Sequence, residues 1–140
     1  MILELHATPE EVMRAVEALR EFGEARHVPK EAFFGLTLAL EECGSNIVNH
    51  SLRRDARRTF SVSFEDMGEA IMIELRDDGP EFDPTKSAAN EKEPGDDDRA
   101  PGGWGIQLVR QYMDEISYRR EAGENVLRLT KRIGGATGRG

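Results

Sequence analysis

The chain reads as an α+β domain, a two-layer α/β sandwich in which a mixed, mostly antiparallel sheet carries helices on one face. Paired β-prone segments point to it first: residues 59–64 with 70–75, and 116–120 with 126–133, each pair joined by a turn, read as hairpins. Segments with helical apolar spacing interrupt those hairpins, an order that suits helices laid over one side of a sheet. Size agrees. At 140 residues, 38% hydrophobic and 33% charged, the chain is long enough to bury a core of its own, and residues 1–140 read as a single domain.

In chain order, Ile2, Leu3 and Leu5 form a short first strand. Thr8-Pro9-Glu10-Glu11 carries three helix-start signals: a Thr N-cap, a proline at the first helical position and an acid three residues after the cap. Val12, Ala15, Val16, Leu19 and Phe22 follow at helical spacing, and Gly23 suits the stop. A second helix runs from near Pro29 to about His50, with Leu36, Leu40, Cys43 and Ile47 within about 60° of one another on its wheel. The first hairpin turns at Asp66-Met67-Gly68, and the second over Glu121-Ala122-Gly123-Glu124-Asn125. A helix from Gly103 to about Met113 precedes that second hairpin, and 134–140 is a flexible tail with nothing to pack.

Charge and cysteine usage exclude several classes. With 19 Lys+Arg against 27 Asp+Glu the net charge is −8, which disfavours direct nucleic-acid binding and attachment to an anionic membrane. Cys43 is the only cysteine, so neither an intrachain disulfide nor a multi-cysteine metal site is available. The N-terminus lacks a basic n-region and a long apolar run, so no signal peptide is expected. No apolar stretch approaches the roughly 20 residues that span a bilayer. A cytoplasmic location is expected.

Three places can carry chemistry. Glu42, Asn46 and Asn49 lie at i, i+4 and i+7 on the second helix, a polar arc interrupting a largely apolar surface. A carboxylate there can accept a proton, and an amide oxygen is a hard ligand for Mg²⁺. Helix geometry alone favours an ordinary solvated face. Asp77-Asp78-Gly79 follows a strand, so the carboxylate can accept an exocyclic amine while glycine lets backbone approach a flat ligand. Taken singly, an Asp-Gly turn is the commoner explanation. Gly102-Gly103-Trp104-Gly105 feeds a helix N-terminus, whose free N–H groups suit phosphate, though a hinge explains it equally well. Between the last two places, residues 77–101 hold four of the six prolines and many acids. A structureless run of about 25 residues in a compact domain is uncommon unless it is a lid, a binding loop or disordered. Arg99 is the nearby cation able to reach a terminal phosphate.

At these residues the chain resembles the GHKL ATPase superfamily, and within it the anti-sigma-factor serine/threonine kinases built on a lone Bergerat-type ATP-binding domain. The N box looks like residues 42–50, the first glycine box like Asp77-x-Gly79, and the second like Gly103-Trp104-Gly105-Ile106. The ordered set covers nearly the whole chain. It implies Glu42 as general base, Asn46 as the Mg²⁺ ligand, and Asp77 as acceptor of the adenine amine with Gly79 packed close. It also implies Gly103 and Gly105 on the phosphates beneath a lid at 77–101. The family's late-strand Thr, which supports the adenine contact, is matched by position by Thr130, and Asn49 is an additional polar group on the phosphate or metal side. One departure stands out: Glu81 occupies the position of the first box's usual second glycine. The resemblance further implies ATP and Mg²⁺ as cofactors, a STAS-domain anti-anti-sigma protein and a sigma factor as partners, and a homodimer through the N-terminal strand and helix. Three readings stay open: a partner-switching kinase, a nucleotide-dependent binding module without kinase activity, and a plain interaction domain that binds no nucleotide.

Overall fold

A computed structural model describes residues 1–85 and 101–133, with the backbone alone over 101–105. Its elements are β1 (Ile2–His6), α1 (Pro9–Ala25), α2 (Lys30–Asn46), a π-helical turn (Ile47–Ser51), β2 (Thr59–Asp66), β3 (Ala70–Asp77), α3 (Pro101–Tyr112), β4 (Glu115–Glu121) and β5 (Glu124–Arg132). One five-stranded sheet runs in the order β1-β2-β3-β5-β4. Each neighbouring pair is antiparallel, so the sheet expected to be mixed but mostly antiparallel is antiparallel throughout the described residues. The reason is topological. After α3 the chain enters at the far edge as β4, parallel to β3, and the hairpin then returns β5 into the space between them.

Alternation sorts the strand side chains into rows. Ile73 of β3 lies between Phe64 and Leu129, and Leu75 between Val62 and Leu127, all of them buried. Leu19 and Phe22 of α1, Leu36 and Leu40 of α2, and Ile106 and Val109 of α3 complete the same core. The opposite face is polar: there Glu74 is bonded by Arg76 at 2.6 Å and Arg128 at 2.8 Å. The core stripe expected on α2 is buried as read, Leu36, Leu40, Cys43 and Ile47 alike.

Local signals act as read at some positions and differently at others. Thr8 Oγ1 accepts from the Glu11 amide at 3.2 Å and caps α1. Gly23 does not stop that helix, which continues to Ala25. His27, at φ 56°, ends it through two bonds, Val28 N–H to the Gly23 carbonyl at 3.0 Å and His27 N–H to the Glu24 carbonyl at 3.2 Å. Gly23 instead makes room: a Cβ there would lie 3.2 Å from the Phe33 ring. The second hairpin turns over two residues, Ala122 (φ 53°) and Gly123 (φ 82°), so Glu121, Glu124 and Asn125 belong to strands. Among the described residues no helix is long and apolar enough to cross a membrane.

Candidate functional site

The site grows from one end of the sheet. The alternation that buries Ile71, Ile73 and Leu75 puts Asp77 next in the same row, 5% exposed. A carboxylate taken from water needs donors. Asp77 Oδ1 accepts three hydrogen bonds: from Ser51 Oγ, from the Gly79 amide at 2.9 Å and from Asn125 Nδ2 at 3.0 Å. Oδ2 takes none of the hydrogen bonds formed among the described residues. Asp77 lines a small cavity of about 20 Å³ together with Cys43, Asn46, Phe82, Tyr118 and Asn125.

Gly79 is required by space rather than by its backbone angles. A Cβ at this position would fall 2.2 Å from Ser51 Oγ and 2.6 Å from the Ser51 carbonyl oxygen. Ser51 reaches Asp77 because the second helix ends in a π turn, a widening common at functional sites.

That turn also separates the three polar residues of the N box. Asn46, 5% exposed, lines the cavity. Glu42, one helical turn earlier, is half-buried, and burial first and the neighbouring Glu41 charge second push its carboxyl above the ordinary value of 4.5. Asn49 does not continue the row. It lies within the π turn, outside the cavity lining, and its Oδ1 accepts from Arg54 at 2.9 Å. Cys43, wholly buried between them, has its thiol pushed up to about 12 by burial and by Glu42, which makes it an inert wall.

Thr130 is not at this site. It pairs with Met72 and Glu115, five residues along β5 from Asn125, so it lies roughly 17 Å away and on the other face of the sheet. Asn125 stands opposite Asp77 instead, a residue that sequence reasoning assigned to a turn. Its signal was the Ala122-Gly123 pair, a two-residue hairpin turn that starts β5 early enough to face Asn125 inward. Glu81 is exposed and outside the cavity lining, so its side chain does not crowd the cavity. Gly103 and Gly105 fall within the first turns of α3, which begins at Pro101. Arg99 and residues 86–100 of the expected lid lie outside the described residues, as does the tail at 134–140. The described start of that segment folds over the cavity, with Phe82 stacked on His50 and Pro84 lining the wall.

The donors suit Mg²⁺. Among the described residues no group of three or more His, Cys, Asp or Glu side chains can hold a metal by itself. Asn46 offers an amide oxygen, which fits a hard cation that keeps waters and takes its other ligands from phosphates.

A buried acid at a strand end, an amide on the facing helix and a second carboxylate one turn earlier gather at one end of the sheet. The Histidine kinase-like ATPase domain profile matches residues 5–131, and the chain belongs to that family. Serine/threonine-protein kinase BtrW of Bordetella bronchiseptica (strain ATCC BAA-588 / NCTC 13252 / RB50) is 32% identical over 97 residues, 69% of this chain and 68% of that protein. The structure of the RsbU and RsbW domains of Rv1364c from Mycobacterium tuberculosis superposes with a TM-score of 0.63 at 18% identity. It covers 95% of this chain, which spans about a third (32%) of the Mycobacterium chain. The histidine kinase domain of the Erythrobacter litoralis EL346 blue-light activated histidine kinase gives 0.54 at 17% identity, over 89% of this chain and 60% of that one. Both structural likenesses are of fold. The GHKL-type relationship read from the boxes holds.

Proposed function

We propose that this chain is an ATP-dependent protein serine/threonine kinase acting as an anti-sigma factor in a partner-switching system. It phosphorylates a STAS-domain anti-anti-sigma protein and sequesters a sigma factor, in the cytoplasm. The observation that carries the nucleotide part is Asp77: three donors saturate Oδ1 while the same carboxylate borders the cavity that Asn46 lines. A carboxylate so held accepts the exocyclic amine of adenine and repels a carbonyl at the same place. The kinase part rests on Glu42 and on the kinship with BtrW.

In this reading Asp77 orients the base, with Gly79 and Ser51 packed behind it. Asn46 holds Mg²⁺, which when bound neutralises charge on the β- and γ-phosphates. Gly103 and Gly105 approach the phosphates, beneath a lid spanning 77–101. Glu42 accepts the proton of a serine or threonine hydroxyl; the hydroxyl oxygen bonds to the γ-phosphorus as the bond to the β–γ bridging oxygen breaks, and ADP leaves. Incubation with labelled ATP and a purified STAS-domain antagonist tests this. Label on a serine or threonine of the antagonist is expected. Nucleotide-dependent binding without transfer supports the non-catalytic module instead.

A further inference from the structure

We infer that Asn125 is the positioning residue of the base site, fixing in one side chain both the recognition carboxylate and the turn that covers it. This rests on the reading of Asp77 as the nucleobase acceptor. The amide of Asn125 is 5% exposed and fully engaged. Nδ2 donates to Asp77 Oδ1 at 3.0 Å and to the Pro80 carbonyl at 2.9 Å. Oδ1 accepts from the Phe82 amide at 3.1 Å, from Tyr118 Oη at 2.6 Å and from Arg120 at 3.1 Å.

Two of those bonds, to the Pro80 carbonyl and from the Phe82 amide, bracket Glu81. The side-chain amide thus pairs with backbone on both sides of the residue that stands where a second glycine is usual, and Glu81 itself turns outward. Arg120, facing Asn125 across the β4–β5 ladder, ties the same turn down by donating to the Gly79 carbonyl at 2.8 Å. A turn without its second glycine is therefore bolted to a hairpin rather than shaped by its own backbone freedom. The bolt also sets the choice of base. With Asn125 and Ser51 holding Oδ1, Asp77 keeps one orientation; released, it can rotate and lose its preference for an amine over a carbonyl.

Calorimetric titration of wild-type protein, Asn125→Ala and Tyr118→Phe with Mg·ATP and Mg·GTP tests this, with circular dichroism to verify folding. Asn125→Ala should weaken ATP binding roughly 10–100-fold, the worth of a bond to a charged group, and lower the ATP-to-GTP preference. Tyr118→Phe, which removes one bond to the amide oxygen and keeps the ring, should weaken ATP binding by about 2–10-fold in the same sense. A purely structural residue would lower the melting temperature and leave the ATP-to-GTP ratio unchanged, and that outcome overturns the inference. If Asn125→Ala does not fold, an unaltered ratio in Tyr118→Phe overturns it equally. Wild-type protein that binds no ATP removes the nucleotide reading, and this inference with it.

Discussion

Glu42 sits half-buried beside Glu41, and both circumstances raise its carboxyl above the ordinary value of 4.5, burial more than the neighbouring charge. A general base works only when deprotonated, so phosphotransfer should fall on the acid side as pH drops through this raised value. Glu41→Gln removes the like charge and should move that acid limb to lower pH, as a pH–rate profile would reveal. Glu42→Gln should leave ATP binding largely intact while cutting transfer by about 10²–10⁴-fold; unchanged turnover would remove Glu42 from the role. Asn46→Ala should weaken ATP binding in the presence of Mg²⁺ and have little effect without it, and an equal loss under both conditions would argue against metal ligation. At this scale the sequence was most legible where spacing is short. Asp77 and Gly79 are two residues apart and Glu42 and Asn46 four, so neither pair depends on distant geometry. Thr130 was matched by position in the resemblance, which carries no information on which face of β5 a residue takes, and Asn125 was read into a longer turn because where a hairpin turn ends decides which residues join the ladder.

The π turn at Ile47–Ser51 is the element on which the site depends. It ends α2 so that Ser51 meets both Asp77 and Gly79, while Asn49 is held by Arg54 outside the cavity lining. No periodicity in residues 30–51 announces a widened turn, which is why Asn49 was grouped with Glu42 and Asn46 on an ideal wheel. Gly79→Ala would drive a methyl into the Ser51 oxygens, 2.2 and 2.6 Å away. It should therefore cost about 1–3 kcal/mol of stability in urea denaturation and reduce nucleotide binding as well. A fully stable Gly79→Ala would mean that Ser51 can move aside. The hairpins and α1 were readable from alternation, turn residues and the Thr8 cap, since each is decided locally. The end of α1 was not, because whether Gly23 stops a helix or admits a neighbour depends on Phe33 in another element.

Across the molecule, the core rows of the sheet end in a polar row, Asp77, Asn125 and Arg120 lying side by side on β3, β5 and β4. That row exists only because β5 inserts between β3 and β4, a topology that the order of elements permits without specifying. Binding a nucleotide there should stabilise the whole fold. At a ligand concentration 100 times the dissociation constant the gain is about 2.7 kcal/mol, a rise of several degrees in the melting temperature of a domain this size. The most direct measurement is a calorimetric titration of Mg·ATP into wild-type protein and into Asp77→Asn. The wild type should bind, and the amide, which presents a donor where the base amine needs an acceptor, should weaken binding at least roughly tenfold. Equal affinity in the two proteins would contradict the assignment of Asp77, and with it the site built around it.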